Sequence, residues 1–307
     1  MRSFFFCTES YDYMSAAVLT HGMFSKGSID RDEFPDGERS YRINSAEVRG
    51  SNILIVGGTI SDRDILEVFN LACACVKYGA HRLTLMIPFF GYATMERAVH
   101  DGEVVMAKNM ALLLSSIPAA PLGNQALLLD LHSEGIPHYF ESHITAQHVY
   151  AKTTVEELIL RAAKSREFVL GSTDAGRAKW VESIAHDLNV QPAFCYKKRF
   201  SGRKTKITGV NADVTGKFVV IYDDMIRTGG SVAEAAGTYM NAGATGIGVV
   251  TTHGLFVGEC VRKFEACGFI ESVGCTNSHP KSLTAGFNGI ELHVAGIEKT
   301  MLDAFPH

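Results

Sequence analysis

No stretch of the 307 residues is apolar for the length that a bilayer crossing requires, which excludes a spanning helix. Met1-Arg2-Ser3 leads into Phe4-Phe5-Phe6-Cys7, an apolar run too short for a secretory leader and followed at once by polar residues, so a cytoplasmic protein is expected. Cationic blocks are equally scarce. Lys and Arg number 29 against 33 Asp and Glu, the net charge is -4, and outside residues 197 to 206 no basic run of useful length occurs. That balance offers no footprint for nucleic acid. The seven cysteines, Cys7, Cys73, Cys75, Cys195, Cys260, Cys267 and Cys275, are odd in number and lack C-x-x-C spacing. A disulfide framework and a zinc site are thereby disfavoured, and a reducing compartment fits. Cys73 and Cys75 read as small buried side chains. Low-complexity tracts and short-period repeats are missing too. What is present, 46% hydrophobic and 20% charged residues, is the composition of a globular protein long enough for two domains.

Periodicity then gives the order of elements. A strand is expected over 3–7 and a helix over 11–23, begun near Thr8 or Ser10. Residues 29–33 and 38–43 alternate as a strand pair around Phe34-Pro35-Asp36-Gly37-Glu38, where Pro and Gly mark a turn. Strands over 52–56, 82–90 and 126–131 alternate with helices over 62–78 and 104–116. A second round brings helices at 155–163, 179–188 and 259–267 and strands at 167–170, 191–195, 218–222, 247–252 and 269–273. Residues 276–290 read as a loop and 297–305 as a helix. Strand-helix alternation of this kind builds parallel α/β layers, here two units in tandem meeting near residues 145–155.

The stretch that dictates chemistry is Lys217 to Glu234. Its apolar run, Phe218 to Tyr222, predicts a buried parallel strand, and Asp223 and Asp224 follow at the carboxyl end, where ligands of open α/β sheets gather. Arg227-Thr228-Gly229-Gly230-Ser231 then opens a helix. Two glycines bring bare N–H groups to a helix start, where the unpaired donors and the dipole favour an anion. A ligand satisfying both halves carries phosphate at one end and hydroxyls, or a hydroxyl-bound cation, at the other. Ribose 5-phosphate does.

Asp223-Asp224-Met225-Ile226-Arg227-Thr228-Gly229-Gly230-Ser231 resembles the phosphoribosyl-binding loop of type I phosphoribosyltransferases and, more closely, of ribose-phosphate diphosphokinases. The resemblance implies two tandem phosphoribosyltransferase-like α/β domains, each a mainly parallel sheet flanked by helices: 1–148, with a tail from 288 to 307 packing back on it, and 149–287. It also implies an activity: the diphosphoryl group of Mg-ATP passes to the 1-hydroxyl of ribose 5-phosphate, with release of AMP. On that likeness Asp223 and Asp224 hold the ribose hydroxyls, and Thr228, Gly229, Gly230 and Ser231 hold the 5-phosphate.

Four further stretches extend the likeness over nearly the whole chain. Phe34, Asp36 and Glu38 lie in a segment similar to the family's nucleotide-base loop, which reaches a neighbouring subunit and so implies at least a homodimer. His132, in Asp130-Leu131-His132, resembles the histidine that meets the ATP phosphates or their Mg²⁺, and Asp174, in Gly171-Ser172-Thr173-Asp174-Ala175-Gly176, the Mg²⁺-binding acid of the pyrophosphate loop. Lys197 and Arg199 resemble the basic catalytic loop that steadies charge on the transferred group, and Arg97 the arginine that meets ATP. Taken singly, each has an ordinary reading: a Pro-Asp-Gly turn, a structural histidine, a solvated cationic hairpin.

Two positions depart from the commoner branch of the family. Thr94-Met95-Glu96-Arg97 stands where that branch has Arg-Gln-Asp-Arg, and Arg227 stands where it has Asp. Plant-type, class II members resemble this chain more closely there, with Pro88-Phe89-Phe90 at a strand end, Asp101-Gly102-Glu103-Val104, and Phe140-Glu141-Ser142-His143 as further likenesses. That branch works without phosphate activation, escapes ADP inhibition and accepts several nucleoside triphosphates. Two rivals stay open: a phosphoribosyltransferase that consumes phosphoribosyl diphosphate, and a non-catalytic nucleotide-binding partner, which Arg227 would suit.

Overall fold

The computed structural model describes residues 2–173, 176, 178–199 and 205–305, apart from the side chains of 196–199 and 205–208. Asp174 lies outside the described residues, as does Ser201-Gly202-Arg203-Lys204. The chain divides into two compact units, one of Met1–Tyr150 with Ile297–His307 and one of Ala151–Gly296.

In the first unit, β1 (Ser3–Cys7) is followed by α1 (Ser15–Thr20) and the two-residue β2 (Ser25–Lys26), then by the hairpin β3 (Ile29–Glu33) and β4 (Arg39–Ile43). After α2 (Ser45–Val48) come β5 (Asn52–Val56), α3 (Asp62–Lys77), β6 (Arg82–Ile87), α4 (Met106–Ser115), β7 (Asn124–Leu129) and β8 (Ile144–Val149). The sheet is ordered β2-β1-β5-β6-β7-β8 and every neighbouring pair is parallel. Its central strands are buried on both faces, so they read as unbroken apolar runs: Ile53 to Val56 are each at most 1% exposed. α3 starts on a side-chain cap, with Ser61 accepting from the Asp64 amide, and turns Ile65, Val68, Leu71, Ala72 and Cys75 inward at helical spacing.

Three features of this unit differ from the periodicity. Residues 11–23 are not one helix: a 3₁₀ turn, Glu9–Met14, precedes α1. Tyr11 and Met14, both buried, stand three apart, a spacing that a three-residue turn aligns on one face, and Thr8 supplies no side-chain cap. β8 replaces an expected connection, its ends buried and its middle half-exposed as suits an edge strand. The last helix, α9 (Glu298–Leu302), is shorter than the expected 297–305, and Phe305 beyond it meets Phe24 edge to face at 4.9 Å.

The second unit runs α5 (Lys152–Ala163), β9 (Phe168–Ser172), α6 (Ala178–Asp187), β10 (Gln191–Arg199), β11 (Thr205–Val210), β12 (Phe218–Ile226), α7 (Gly230–Asn241), β13 (Gly246–Gly254), α8 (Cys260–Cys267), β14 (Ile270–Thr276) and β15 (Glu291–Ala295). Its sheet is ordered β11-β10-β9-β12-β13-β14-β15, parallel throughout except for the β10/β11 ladder. Val219 and Ile221 of β12 pack with Val232, Ala235 and Tyr239 of α7 in its core. The tail expected to leave at 288 leaves at Ile297 instead, because Glu291–Ala295 pair with β14.

Two strands are longer than their apolar runs. β10 continues past Cys195 to Arg199 because β11 supplies an antiparallel partner, so Lys197 and Arg199 stand on a strand facing Ile207 and Thr205 rather than in a loop. β12 continues past Tyr222 to Ile226 because β13 runs alongside as far as Gly254. The acid pair is therefore inside the ladder. Adjacent strand residues face opposite ways, and Asp223 and Asp224 do not stand side by side.

Candidate active site

The carboxyl edge of the second sheet gathers the predicted sugar-phosphate residues. Asp223 is half-buried; its Oδ2 accepts from Thr173 Oγ1 at 3.1 Å, which ties the end of β12 to the end of β9, and its Oδ1 accepts from the Asp224 amide at 3.0 Å. Asp224 is 5% exposed. Beyond Ile226 the chain crosses to α7 over the loop after β13: the Leu255 and Phe256 amides donate to the Ile226 carbonyl and the Val257 amide donates to that of Arg227 at 2.8 Å. Arg227, Thr228, Gly230 and Ser231 are exposed.

Gly229 caps α7 with φ of 69°, and a Cβ there would sit 2.7 Å from the Phe264 ring and 2.8 Å from Cys260 Sγ. Only glycine meets both conditions. No side chain caps this helix, and its first internal amide bond is from Ala233 to the Gly229 carbonyl. The start of α7 therefore presents backbone donors and a positive dipole end beside an acid that can accept from hydroxyls.

Sequence reasoning missed the polar ends of the next two strands. Asp223 is in register with Thr251 and Met225 with His253, while His253 faces Thr276 across β14. His253 Nδ1 lies 2.8 Å from Ser278 Oγ, and Thr276 Oγ1 donates to the Thr252 carbonyl at 2.7 Å. Thr252, His253, Thr276 and Ser278 are at most 2% exposed. Burial, together with His253 and Lys281, lowers the His279 imidazole to about 4, so it is neutral near pH 7. The signal was there in the polar runs that close both apolar strands. Tyr239, on α7, is a second omission. Its buried hydroxyl is 3.0 Å from the carbonyls of Ser172 and Ala193, tying together the strands that lead to Thr173 and to Lys197.

In the first unit, the base-loop residues sit at the tip of the β3/β4 hairpin. Phe34 is 52% exposed, Asp36 Oδ1 accepts from the Glu38 amide at 3.2 Å, and Gly37 turns the chain at φ of 90°. The hairpin is anchored below by Arg31, whose Nε meets Glu67 Oε1 at 2.9 Å while Nη2 donates to the Cys7 carbonyl at 2.5 Å. Arg97 and His132 leave the carboxyl edge of adjacent strands, β6 and β7, and Tyr139 joins their loops by donating to the Glu96 carbonyl at 2.6 Å. The Arg97 side chain is 79% exposed, with Nε 3.5 Å from Glu96. Partial burial, then Glu134 and Asp130, raise the Tyr150 phenol, which places two carboxylates around the His132 turn.

No group of three His, Cys, Asp or Glu side chains suited to a metal occurs among the described residues. Mg²⁺ takes oxygen ligands, commonly one or two carboxylates completed by substrate phosphates, and the acids at either carboxyl edge fit that use. Four of the cysteines are unsuited to thiolate chemistry. Burial pushes Cys7 and Cys260 up to about 11 and Cys75 and Cys275 up to about 12, so none of the four is a thiolate near neutrality.

A parallel sheet whose carboxyl edge carries an acid pair, a left-handed glycine cap and a bare helix start is the phosphoribosyltransferase-like form of the α/β fold. Residues 4–117 match the N-terminal domain of ribose phosphate pyrophosphokinase, and residues 174–293 the phosphoribosyl synthetase-associated domain. The chain is 30% identical over 279 residues to the ribose-phosphate pyrophosphokinase of Nostoc sp., covering 90% of this chain and 82% of that one. With the enzyme of the same name from Thermoplasma volcanium it is 30% identical over 236 residues, 76% and 78% of the two chains. The crystal structure of phosphoribosylpyrophosphate synthetase from Mycobacterium smegmatis has the same fold, with a TM-score of 0.86 at 24% identity over 99% of this chain and 97% of that one. The chain belongs to the ribose-phosphate pyrophosphokinase family.

Proposed function

We propose that this protein transfers the diphosphoryl group of Mg-ATP to the 1-hydroxyl of ribose 5-phosphate, giving phosphoribosyl diphosphate and AMP. The observation that carries the reading is the end of β12, where Asp223 and the uncapped start of α7 flank a glycine that no other residue can replace. Thr228, Gly229, Gly230 and Ser231 would cradle the 5-phosphate, and Asp223, with Asp224 behind it in the ladder, would accept from the ribose hydroxyls. The 1-hydroxyl oxygen attacks the β-phosphorus in line; the bond to the α-phosphate oxygen breaks and AMP leaves, with no covalent enzyme intermediate. Phe34, Asp36, Glu38 and Arg97 would receive the nucleotide, and His132 its phosphates. Lys197 and Arg199 would offset charge around the moving group. Bound with the triphosphate, Mg²⁺ supplies charge neutralisation, and Asp174 and His132 are the residues proposed to face it.

We further place the chain near the class II branch, on Arg227 and Thr94-Met95, and in a cytoplasmic homodimer or larger assembly, on its odd number of cysteines without C-x-x-C spacing and on the base loop that begins at an exposed Phe34. AMP release from ATP should require both Mg²⁺ and ribose 5-phosphate. Release that ignores the sugar phosphate overturns the reading, and strict dependence on inorganic phosphate removes the branch assignment alone.

A further inference from the structure

The turn that presents His132 is held in an uncommon backbone conformation by a side chain to which the mechanism above gives no part. Asp130, the first residue after β7, has φ of 36°, in the left-handed region that residues other than glycine enter rarely and at a cost. Its amide donates to the Val149 carbonyl at 2.9 Å. The next amide, that of Leu131, donates to Nε2 of His148, also at 2.9 Å. Leu131 is 3% exposed, so water does not stand in for that acceptor. A ring nitrogen that accepts carries no proton, so this hydrogen bond requires His148 Nε2 to be unprotonated. The ring projects from β8 and lies against Tyr150, with centroids 4.1 Å apart and planes 31° from parallel. On an edge strand a threonine or valine would satisfy the alternation equally well. An imidazole reaching the backbone of the neighbouring turn does something that the strand itself does not need.

We propose that His148 is a positioning residue: by accepting the Leu131 amide it locks the strained turn from Asp130 to His132, and so sets where the His132 imidazole meets the nucleotide phosphates. The inference rests on the role proposed above for His132. Groups that orient a ligating or donating side chain from behind carry about a 10- to 100-fold effect on activity or affinity. His148→Leu removes the acceptor, and His148→Gln offers an amide oxygen at similar reach.

The test is a double-mutant cycle with His132→Ala, read as kcat/KM for ATP, KM for ribose 5-phosphate and melting temperature. His148→Leu should lower kcat/KM for ATP about tenfold or more while KM for ribose 5-phosphate stays within about twofold, and His148→Gln should recover most of the loss. In the His132→Ala background the His148→Leu loss should shrink to less than about twofold. A loss of undiminished size in that background, or a His148→Leu enzyme equal to wild type, overturns the positioning role and leaves the proposed function intact. A His132→Ala enzyme equal to wild type removes His132 from the reaction, and this inference with it.

Discussion

His279 shows how one side chain couples packing to pH. It is 6% exposed, and its Nδ1 accepts the Lys281 amide at 3.2 Å. In the unfolded chain the ring takes a proton near 6.5, whereas in the fold burial and the neighbouring His253 and Lys281 delay protonation to about 4. Between those values the unfolded state binds more protons, so the group lowers stability as pH falls from 6.5 towards 4 and has no effect above. At its steepest the slope from one such group is about 1.4 kcal/mol per pH unit. His279→Asn keeps an acceptor for the Lys281 amide and removes the titration. Urea midpoints measured across that range should therefore fall less steeply in the variant, and equal slopes would refute the attribution. His279, like His148, was not legible in the sequence, because only the fold decides what a histidine touches. The placement of Asp223 at a strand end and of Thr228 to Ser231 at a helix start was legible because it depends on local order: strand, acid, glycine turn, helix. What that order could not show is that β13 prolongs β12 and turns Asp223 and Asp224 to opposite faces.

Among the elements, the β3/β4 hairpin carries ion pairs of very unequal burial. Its outward face carries Arg42 and Asp30 at 2.7 Å, both largely in water, where an ion pair adds little. Its inward face carries Arg31, whose partner Glu67 is 1% exposed and also accepts from the Glu9 amide at 3.1 Å. Arg31→Ala leaves that carboxylate buried with one partner fewer and should cost on the order of 3 kcal/mol by chemical denaturation. Arg42→Ala should leave the midpoint almost where it was. If the two variants unfold alike, the hairpin is not held at Arg31. The hairpin itself was readable from alternation and the Pro-Asp-Gly turn, but its attachment was not, since Arg31 and Glu67 are 36 residues apart. Edge elements were the least visible: β8, β11 and β15 interrupt their apolar residues with polar ones, and each is defined by the neighbour it pairs with.

For the whole molecule, tandem α/β units were evident from alternating strands and helices, and the proposed ligands divide between them. Ribose 5-phosphate alone should slow amide hydrogen exchange in residues 223–232 and leave the hairpin at 29–43 unchanged, with slowing at the hairpin only when nucleotide is added. Protection of the hairpin by the sugar phosphate alone would contradict that division. Where the second unit ends was not readable, because Glu291 to Ala295 had to find β14 before the tail could leave.

That tail also fixes an order of events during synthesis. Met301, Leu302 and Phe305, all at most 6% exposed, complete the core of the unit whose first strand begins at Ser3. On the ribosome the domain started first is therefore the one finished last: until about residue 305 has cleared the exit tunnel, Phe24 has no ring to pack against. A nascent chain stalled anywhere short of that point would display an unsealed apolar seam of the kind that chaperones bind.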